Sequence, residues 1–278
     1  MTCRLYLGPI SKEVVWAAYR ARAGRDLAFC CSEGQVGPNA YTEMSGGVFA
    51  EINARAAGGR YLLAERDHMR TWNNYEEDRR YFTGFHVHTN DISGGVEAAR
   101  QYGRDWCDFE WQIGPGEDDS QPISNLQEDM TCWLSFPMGI KVSGGRNVGM
   151  LDIAQIESTR EACPQAKLRA HNADFLPRRT FSALKRLVDG VNVAPQFGAA
   201  QSLFYLRWAT ERGLSITEWE KACYEDAERL DRWELAPHCI TKWYCIGHYH
   251  FDEIAFRDEA FDKCVSYLAG FIGELADA

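Results

Sequence analysis

The chain has 278 residues, 25% of them charged and 45% hydrophobic, the composition of a water-soluble globular protein with apolar mass enough for one large core. A net charge of −10 leaves no basic stripe to replace phosphate counterions, which excludes a nucleic-acid binder. One local anion site stays compatible with that charge, because backbone N–H groups and one or two arginines can build it.

In chain order, short apolar runs alternate with helix-like segments. A strand at residues 4–7 is followed by a helix at 11–22, with Ser11 as cap and Glu13 in its first turn. DLAFCCSEGQVG reads as a strand ending at Glu33 and Gly34, before a helix at 45–57. RYLLAERDH is a strand ending in Asp67 and His68, with a polar helix at 73–82 behind it. GFHVHTN is a strand with a helix at 94–102. CDFEWQIG is another, with an acidic loop at 116–120 and a helix near 123–132. MGIKV reads as a strand, SGGRNVG as a glycine-rich turn, and 150–162 as a helix stopped at Pro164. KLRAHNADF is a strand, and Pro177 stands where proline opens a helix. GVNVAP is a strand before a helix at 198–212. A second helical stretch at 215–235 precedes WYCIGHYH, read as the last strand, and 254–275 closes the chain. Strict alternation predicts a parallel sheet with covering helices. The expected fold is α/β, a single (β/α)8 TIM barrel with an extra N-terminal helix, in one domain spanning 1–278.

The ten cysteines include no C-x-x-C pair and predict reduced, buried thiols rather than a disulfide framework. MTCRLYLGPISKEVVW lacks the pattern of a signal peptide, and no apolar run approaches the ~20 residues of a bilayer span. A cytoplasmic protein with no membrane partner is expected.

Six of the seven histidines fall at or near strand ends, where a barrel gathers its catalytic groups. His68 can ligate a divalent metal while Asp67 beside it moves a proton, or the two can serve as loop cap and hydrogen-bonding partner. His86 and His88, two apart, share a face; they read as ligands of a borderline metal such as zinc, as a proton donor, or as a buried polar layer. Glu110 supplies a carboxylate and Lys141 an amine, the latter as a charged partner or phosphate contact more than as a Schiff base. His171, Asn172 and Asp174 complete the convergent set, with Gln196 at the end of the next strand. His248 and His250 repeat the spacing of two, as substrate contacts or as an aromatic lid. Two turns are candidate anion sites: Gly144, Gly145 and Arg146 ahead of one helix, and Gln196 and Gly198 at the start of another.

Several of these segments resemble the tagatose-bisphosphate aldolase subunit family (GatZ/KbaZ-like). They are SEGQVGPNAYTEMSGGVF, LLAERDH, FTGFHVHTN and, best, LRAHNADFLPRRTFSALKRLVDGVNVAPQFGAAQSLFYL. The resemblance implies a barrel related to class II, metal-dependent sugar-bisphosphate aldolases. It puts Asp67 and His68 where those enzymes keep an acid/base and a metal ligand, and His171 where a later ligand belongs. His88 stands in place of the family's third-strand aspartate, and no histidine ends the seventh strand. Three readings follow. One is a metal-dependent lyase or isomerase acting on a sugar or sugar phosphate, with His68, His171 and His86 or His88 on a zinc-like ion and Glu110 as a fourth ligand. The other is a non-catalytic partner subunit of such an aldolase, or a homo-oligomer. A metal-independent epimerase using His and Glu is the third.

Overall fold

The computed structural model describes residues 3–69, 71, 73–88, 110–114, 133–136, 146–148, 153–162, 167–171, 173–226, 233–235, 244 and 246–278. Strands β1 (Arg4–Leu7), β2 (Leu27–Cys31), β3 (Leu63–Met69), β4 (Gly84–His88), β8 (Lys167–Ala170) and β9 (Gly190–Val193) pair in parallel in the order β8-β9-β1-β2-β3-β4. These six strands are successive neighbours in one parallel sheet. Nearly every residue of β1, β2 and β9 is buried, as expected of parallel strands covered on both faces. β5 (Glu110–Gly114) and β6 (Trp133–Phe136), described through their backbone, carry parallel ladders from β4 round to β8.

The helices that follow these strands are α1 (Lys12–Ala21), α2 (Gly46–Ala57), the single turn α3 (Tyr75–Asp78), α5 (Arg178–Leu187) and α6 (Pro195–Arg212). Between α3 and α5 lies α4 (Ile153–Ala162), and beyond α6 come α7 (Thr217–Glu225) and the long C-terminal α8 (Arg257–Asp277). Among the described residues no helix is long and apolar enough to cross a membrane.

The expected (β/α)8 TIM barrel with an extra N-terminal helix is corrected on three points. The described elements do not make the plain eightfold strand-and-helix repeat that was expected: Arg146–Val148 leaves the main sheet to pair with Trp233–Leu235. The described end of the segment WYCIGHYH is no strand: its residues 247–250 belong to a 3-10 helix, Gly247–Glu253. And α1 is the ordinary helix after β1, not an extra one. The 3-10 helix has a packing cause. A Cβ at Gly247 would lie 2.3 Å from Ser202 Oγ and 2.5 Å from Trp219, so the backbone presses onto α6 and α7. Trp219 Nε1 donates to the Gly247 carbonyl at 3.0 Å. Alternating apolar residues cannot distinguish such a wedge from a strand.

Two further expectations shift. The expected strand MGIKV and the helix expected near 123–132 lie outside the described residues, and β6 at Trp133–Phe136 was not among the expected strands. SGGRNVG, expected as a turn, contributes β7 (Arg146–Val148), which pairs in parallel with β10 (Trp233–Leu235) as a separate two-stranded sheet. The helical stretch expected at 215–235 accordingly ends at Glu225 in α7.

α1 is capped as its sequence implies, with Ser11 Oγ accepting from Val14 N at 3.3 Å. Val14, Val15, Ala17, Ala18 and Ala21 lie buried beside Ala260, Cys264, Val265 and Leu268 of α8. Burial of each aliphatic side chain of Val or Leu size stabilises by roughly 1.5–3 kcal/mol. Within this apolar seam sits a charged group. Glu13, 1% exposed, receives both Nε and Nη2 of Arg257 at 2.7 and 2.9 Å and the Tyr205 hydroxyl at 2.9 Å. Burial pushes the Glu13 carboxyl up, but the hydrogen bonds and charge of Arg257 outweigh it and hold the group below its ordinary value.

Because its folded pKa is lowered, Glu13 contributes stability in full above the ordinary glutamate value of about 4.3, and loses it as pH falls through the folded value. Urea unfolding from pH 7 to pH 3 is expected to show this acid-side loss, and Glu13→Gln to flatten it. Arg257→Ala leaves the carboxylate buried without its cation and is expected to cost about 3–5 kcal/mol at pH 7.

Candidate active site

The site forms where β3, β4 and β8 end. The β3–β4 ladder pairs Arg66 with Phe85 and then Met69 with Val87, so Asp67 and His68 together oppose His86 alone. This one-residue bulge re-aims the end of β3, as bulges beside functional sites do. It brings Asp67 Oδ1 to 2.6 Å from His86 Nδ1. The His86 ring in turn lies 4.7 Å from the ring of His171, centroid to centroid, across from β8. Asp67, His86 and His171 are all buried, at 6%, 1% and 4% exposure, and offer ligand atoms within 4.8 Å of one another.

A layer of polar side chains lies beneath them, one turn of the pleat deeper. Glu65 precedes Asp67 by two residues and Arg169 precedes His171 by two, so each pair shares a face. Arg169 Nη1 donates to Glu65 Oε2 at 2.5 Å with both side chains fully buried. Its Nε donates to Asn192 Oδ1 at 2.6 Å, and its guanidinium carbon stands 3.3 Å from the Tyr6 ring centroid. Burial opposes the charge on Arg169, but Glu65 and the neighbouring groups more than offset it and raise its pKa. Asn192 Nδ2 donates to Cys30 Sγ at 3.1 Å and lies 3.1 and 3.2 Å from the two nitrogens of His171. Near-equal distances to both nitrogens place the amide over the ring, not in the plane of one lone pair. The in-plane directions of His171 are thus left to other groups. Burial first, with Asp67 and Glu65 adding to it, holds the Cys30 thiol well above its usual range. Cys30 is therefore a neutral thiol at neutral pH.

The donor set of two imidazoles and a carboxylate suits a borderline divalent metal. With Nδ1–H of His86 donating to Asp67, the neutral ring keeps its lone pair on Nε2, the tautomer logic of carboxylate-oriented metal ligands.

The expected site residues divide sharply. Asp67, His86 and His171 converge. Asp174 is buried, but its Oδ1 accepts the N–H groups of Ala194 at 3.0 Å and Gln196 at 2.8 Å, which fixes the start of α6. Gln196 Oε1 accepts Phe175 N at 2.8 Å and holds that residue at a φ of +58°. Gly198 is a packing residue, since a Cβ there would meet His248 Nδ1 at 2.6 Å. His248 packs edge-on against Tyr41, ring centroids 5.3 Å apart, and His250 Nε2 lies 2.9 Å from Asp226 Oδ2. Neither histidine is on a strand; both belong to the 3-10 helix Gly247–Glu253. Glu33 is exposed and lines a cleft that also touches Asp67. Lys141, Gly144, Gly145 and Asn172 lie outside the described residues, as do the side chains of His68, His88, Glu110 and Arg146, whose backbones belong to β3, β4, β5 and β7.

Reading the histidines alone overlooked Cys30, Glu65, Arg169 and Asn192. The signal was present: the spacing of two that links His86 to His88 also links Glu65 to Asp67 and Arg169 to His171.

No family model and no curated protein matches the sequence. The fold is similar to solved structures of sugar-converting enzymes. One is the native fructuronate-tagaturonate epimerase UxaE of Cohnella laeviribosi, with a TM-score of 0.64 and 11% identity over 99% of this chain and 81% of that one. Others are the YdjI aldolase of Escherichia coli K12, at 0.55 and 11% over 92% and 90%, and a putative fructose-1,6-bisphosphate aldolase of Coccidioides immitis, at 0.54 and 14% over 99% and 90%. At such identities the likeness is one of fold.

Removing Arg169 alone (Arg169→Met) strands the Glu65 charge and is expected to cost about 3–5 kcal/mol, whereas the double replacement Glu65→Leu with Arg169→Met recovers most of it. A double-mutant cycle in urea measures the coupling. Asp174→Ala is expected to cost about 1–2 kcal/mol through the lost helix-start contacts, read by the same unfolding curves.

Proposed function

We propose that the chain is a lyase or isomerase of the class II aldolase kind, acting on a sugar or sugar phosphate with a divalent metal, zinc by preference. The observation that carries this reading is the convergence of Asp67, His86 and His171 at the ends of three strands, with donor atoms within 4.8 Å of one another. Fold likeness to two aldolases and an epimerase supports it. His86 and His171 would hold the metal, with His68, His88 and Glu110 completing the set. A bound divalent ion supplies Lewis acidity to a substrate oxygen, which eases loss of a proton or cleavage of a carbon–carbon bond next to a carbonyl. Asp67 orients His86 through Nδ1 and is the group placed to take and return the proton. Burial of all three side chains excludes bulk water, which strengthens each electrostatic contact inside the site. The setting for such an enzyme is the cytosol.

The direct Asp67–His86 contact favours a second reading, a metal-independent epimerase in which this pair is the acid/base couple.

Metal analysis of the purified chain and thermal melts with added zinc, manganese or cobalt separate the two. A ligand at a hundredfold its Kd adds about 2.7 kcal/mol, so a rise in melting temperature of about 5 °C or more is expected. His86→Ala and His171→Ala should abolish that rise. Asp67→Asn should keep metal binding and lower turnover at least a hundredfold. A chain that binds no metal and whose melting is indifferent to all three ions defeats the metal reading. Turnover that persists in chelator then favours the epimerase, and absence of turnover except beside a catalytic partner chain favours the accessory-subunit role.

A further inference from the structure

Asn192, buried at 7% exposure, stands between the ion pair of Glu65 with Arg169 and the candidate site. The β8–β9 ladder pairs Arg169 with Gly190 and Ala170 with Val191, so the next step along both strands brings His171 level with Asn192. The Asn192 carbonyl accepts Ala173 N at 3.0 Å, which ties its backbone to the segment that follows His171. The main chain therefore sets where this side chain stands.

Arg169 sets its polarity. A side-chain amide has a donor end and an acceptor end of nearly equal size, and its neighbours decide which way each one faces. A guanidinium only donates. Arg169 Nε, 2.6 Å away, requires the Asn192 oxygen on its own side, and Glu65 holds Arg169 in turn. The amide nitrogen is left to face Cys30 Sγ at 3.1 Å and the two ring nitrogens of His171 at 3.1 and 3.2 Å. An amide N–H over an aromatic face is attracted to its π electrons, which opposes rotation of the ring. Imidazole needs such a hold, because its second side-chain torsion is broad and only roughly two-fold. A ring that ligates a metal has to keep one orientation.

From this chain of contacts, and resting on the reading that makes His171 a metal ligand, we infer that Asn192 is a positioning residue for the His171 ring, and that the Glu65–Arg169 pair acts on the site through it. Asn192 works by fixing the plane of His171 beside that of His86, whose ring centroid is 4.7 Å away and inclined by 46°. The buried ion pair then has a second use besides holding strand register: it decides which end of an amide the site receives.

Crystal structures and cobalt titrations of the full 278-residue chain and of Asn192→Ala test this, with binding read by the visible absorption of cobalt. In Asn192→Ala the His171 ring should be rotated or take two orientations, and the cobalt Kd should rise about tenfold or more. Glu13→Gln, in the seam between α1 and α8, should leave that Kd unchanged, which separates positioning from a general loss of stability. If Asn192→Ala does not fold, the double variant Glu65→Leu with Arg169→Met serves in its place. There Asn192 has lost the donor that sets its polarity, no guanidinium is stranded, and the same ring movement and rise in Kd are expected. A His171 ring unmoved in the variant, or a Kd unchanged from that of a native chain that binds cobalt, overturns this inference and leaves the metal reading standing. A native chain that binds no cobalt defeats the metal reading, and the ring orientation in the variant then decides this inference by itself.

Discussion

Arg169 has no access to water, and a guanidinium in that position must be answered on several sides at once. Glu65 neutralises it, Asn192 accepts from its Nε, and the face of Tyr6 covers it. The partners come from β1, β3 and β9, while Arg169 itself is on β8. The ion pair is thus a chord across the inside of the curved sheet, joining residues 104 apart in sequence. A one-residue slip in β3 or β8 would turn Glu65 or Arg169 away from the interior and leave its partner charged and unanswered. The register of the strands that carry the site is tied to this contact.

The candidate site is built directly on that layer. The strand parity that points Glu65 and Arg169 inward also points Asp67 and His171 inward two residues later. Asn192 joins the layers, since its oxygen serves Arg169 and its amide nitrogen faces His171 and Cys30. The bulge after Arg66 then supplies what parity cannot, the small rotation that sets Asp67 against His86. Rigidity below and irregularity at the rim are a common division of labour in enzymes, because catalytic groups need supporting contacts that fix their rotamers.

At the outer wall the same economy of buried charge recurs. Arg66, stacked on Phe82 with its guanidinium carbon 4.2 Å from the ring centroid, binds Asp78 and two carbonyls of the β2 loop region. Glu13 binds Arg257 and so clasps the C-terminal helix to α1. Each of these ions is surrounded by committed partners. The cleft beside Asp67 is lined by Glu33, Glu77 and the paired Arg66 and Asp78.

Much could be read without coordinates. The α/β alternation, the helix begun at Ser11 and the strand LAFCC all follow from local patterns. Capping, period-two burial and the ends of apolar runs are properties of neighbouring residues. What the sequence could not reveal involves residues far apart. WYCIGHYH alternates like a strand, yet Gly247 lies against Ser202 and Trp219, and that contact makes a 3-10 helix of it. Asp174 looks catalytic in the string HNAD, yet two N–H groups some twenty residues later claim its carboxylate. Glu65 and Arg169 read as ordinary charges until the sheet curves and brings them within hydrogen-bonding distance. Local sequence determines which way each side chain faces; only the closing of the chain on itself decides what it meets there, because the energy of a buried charge depends on its partners and not on its neighbours in sequence.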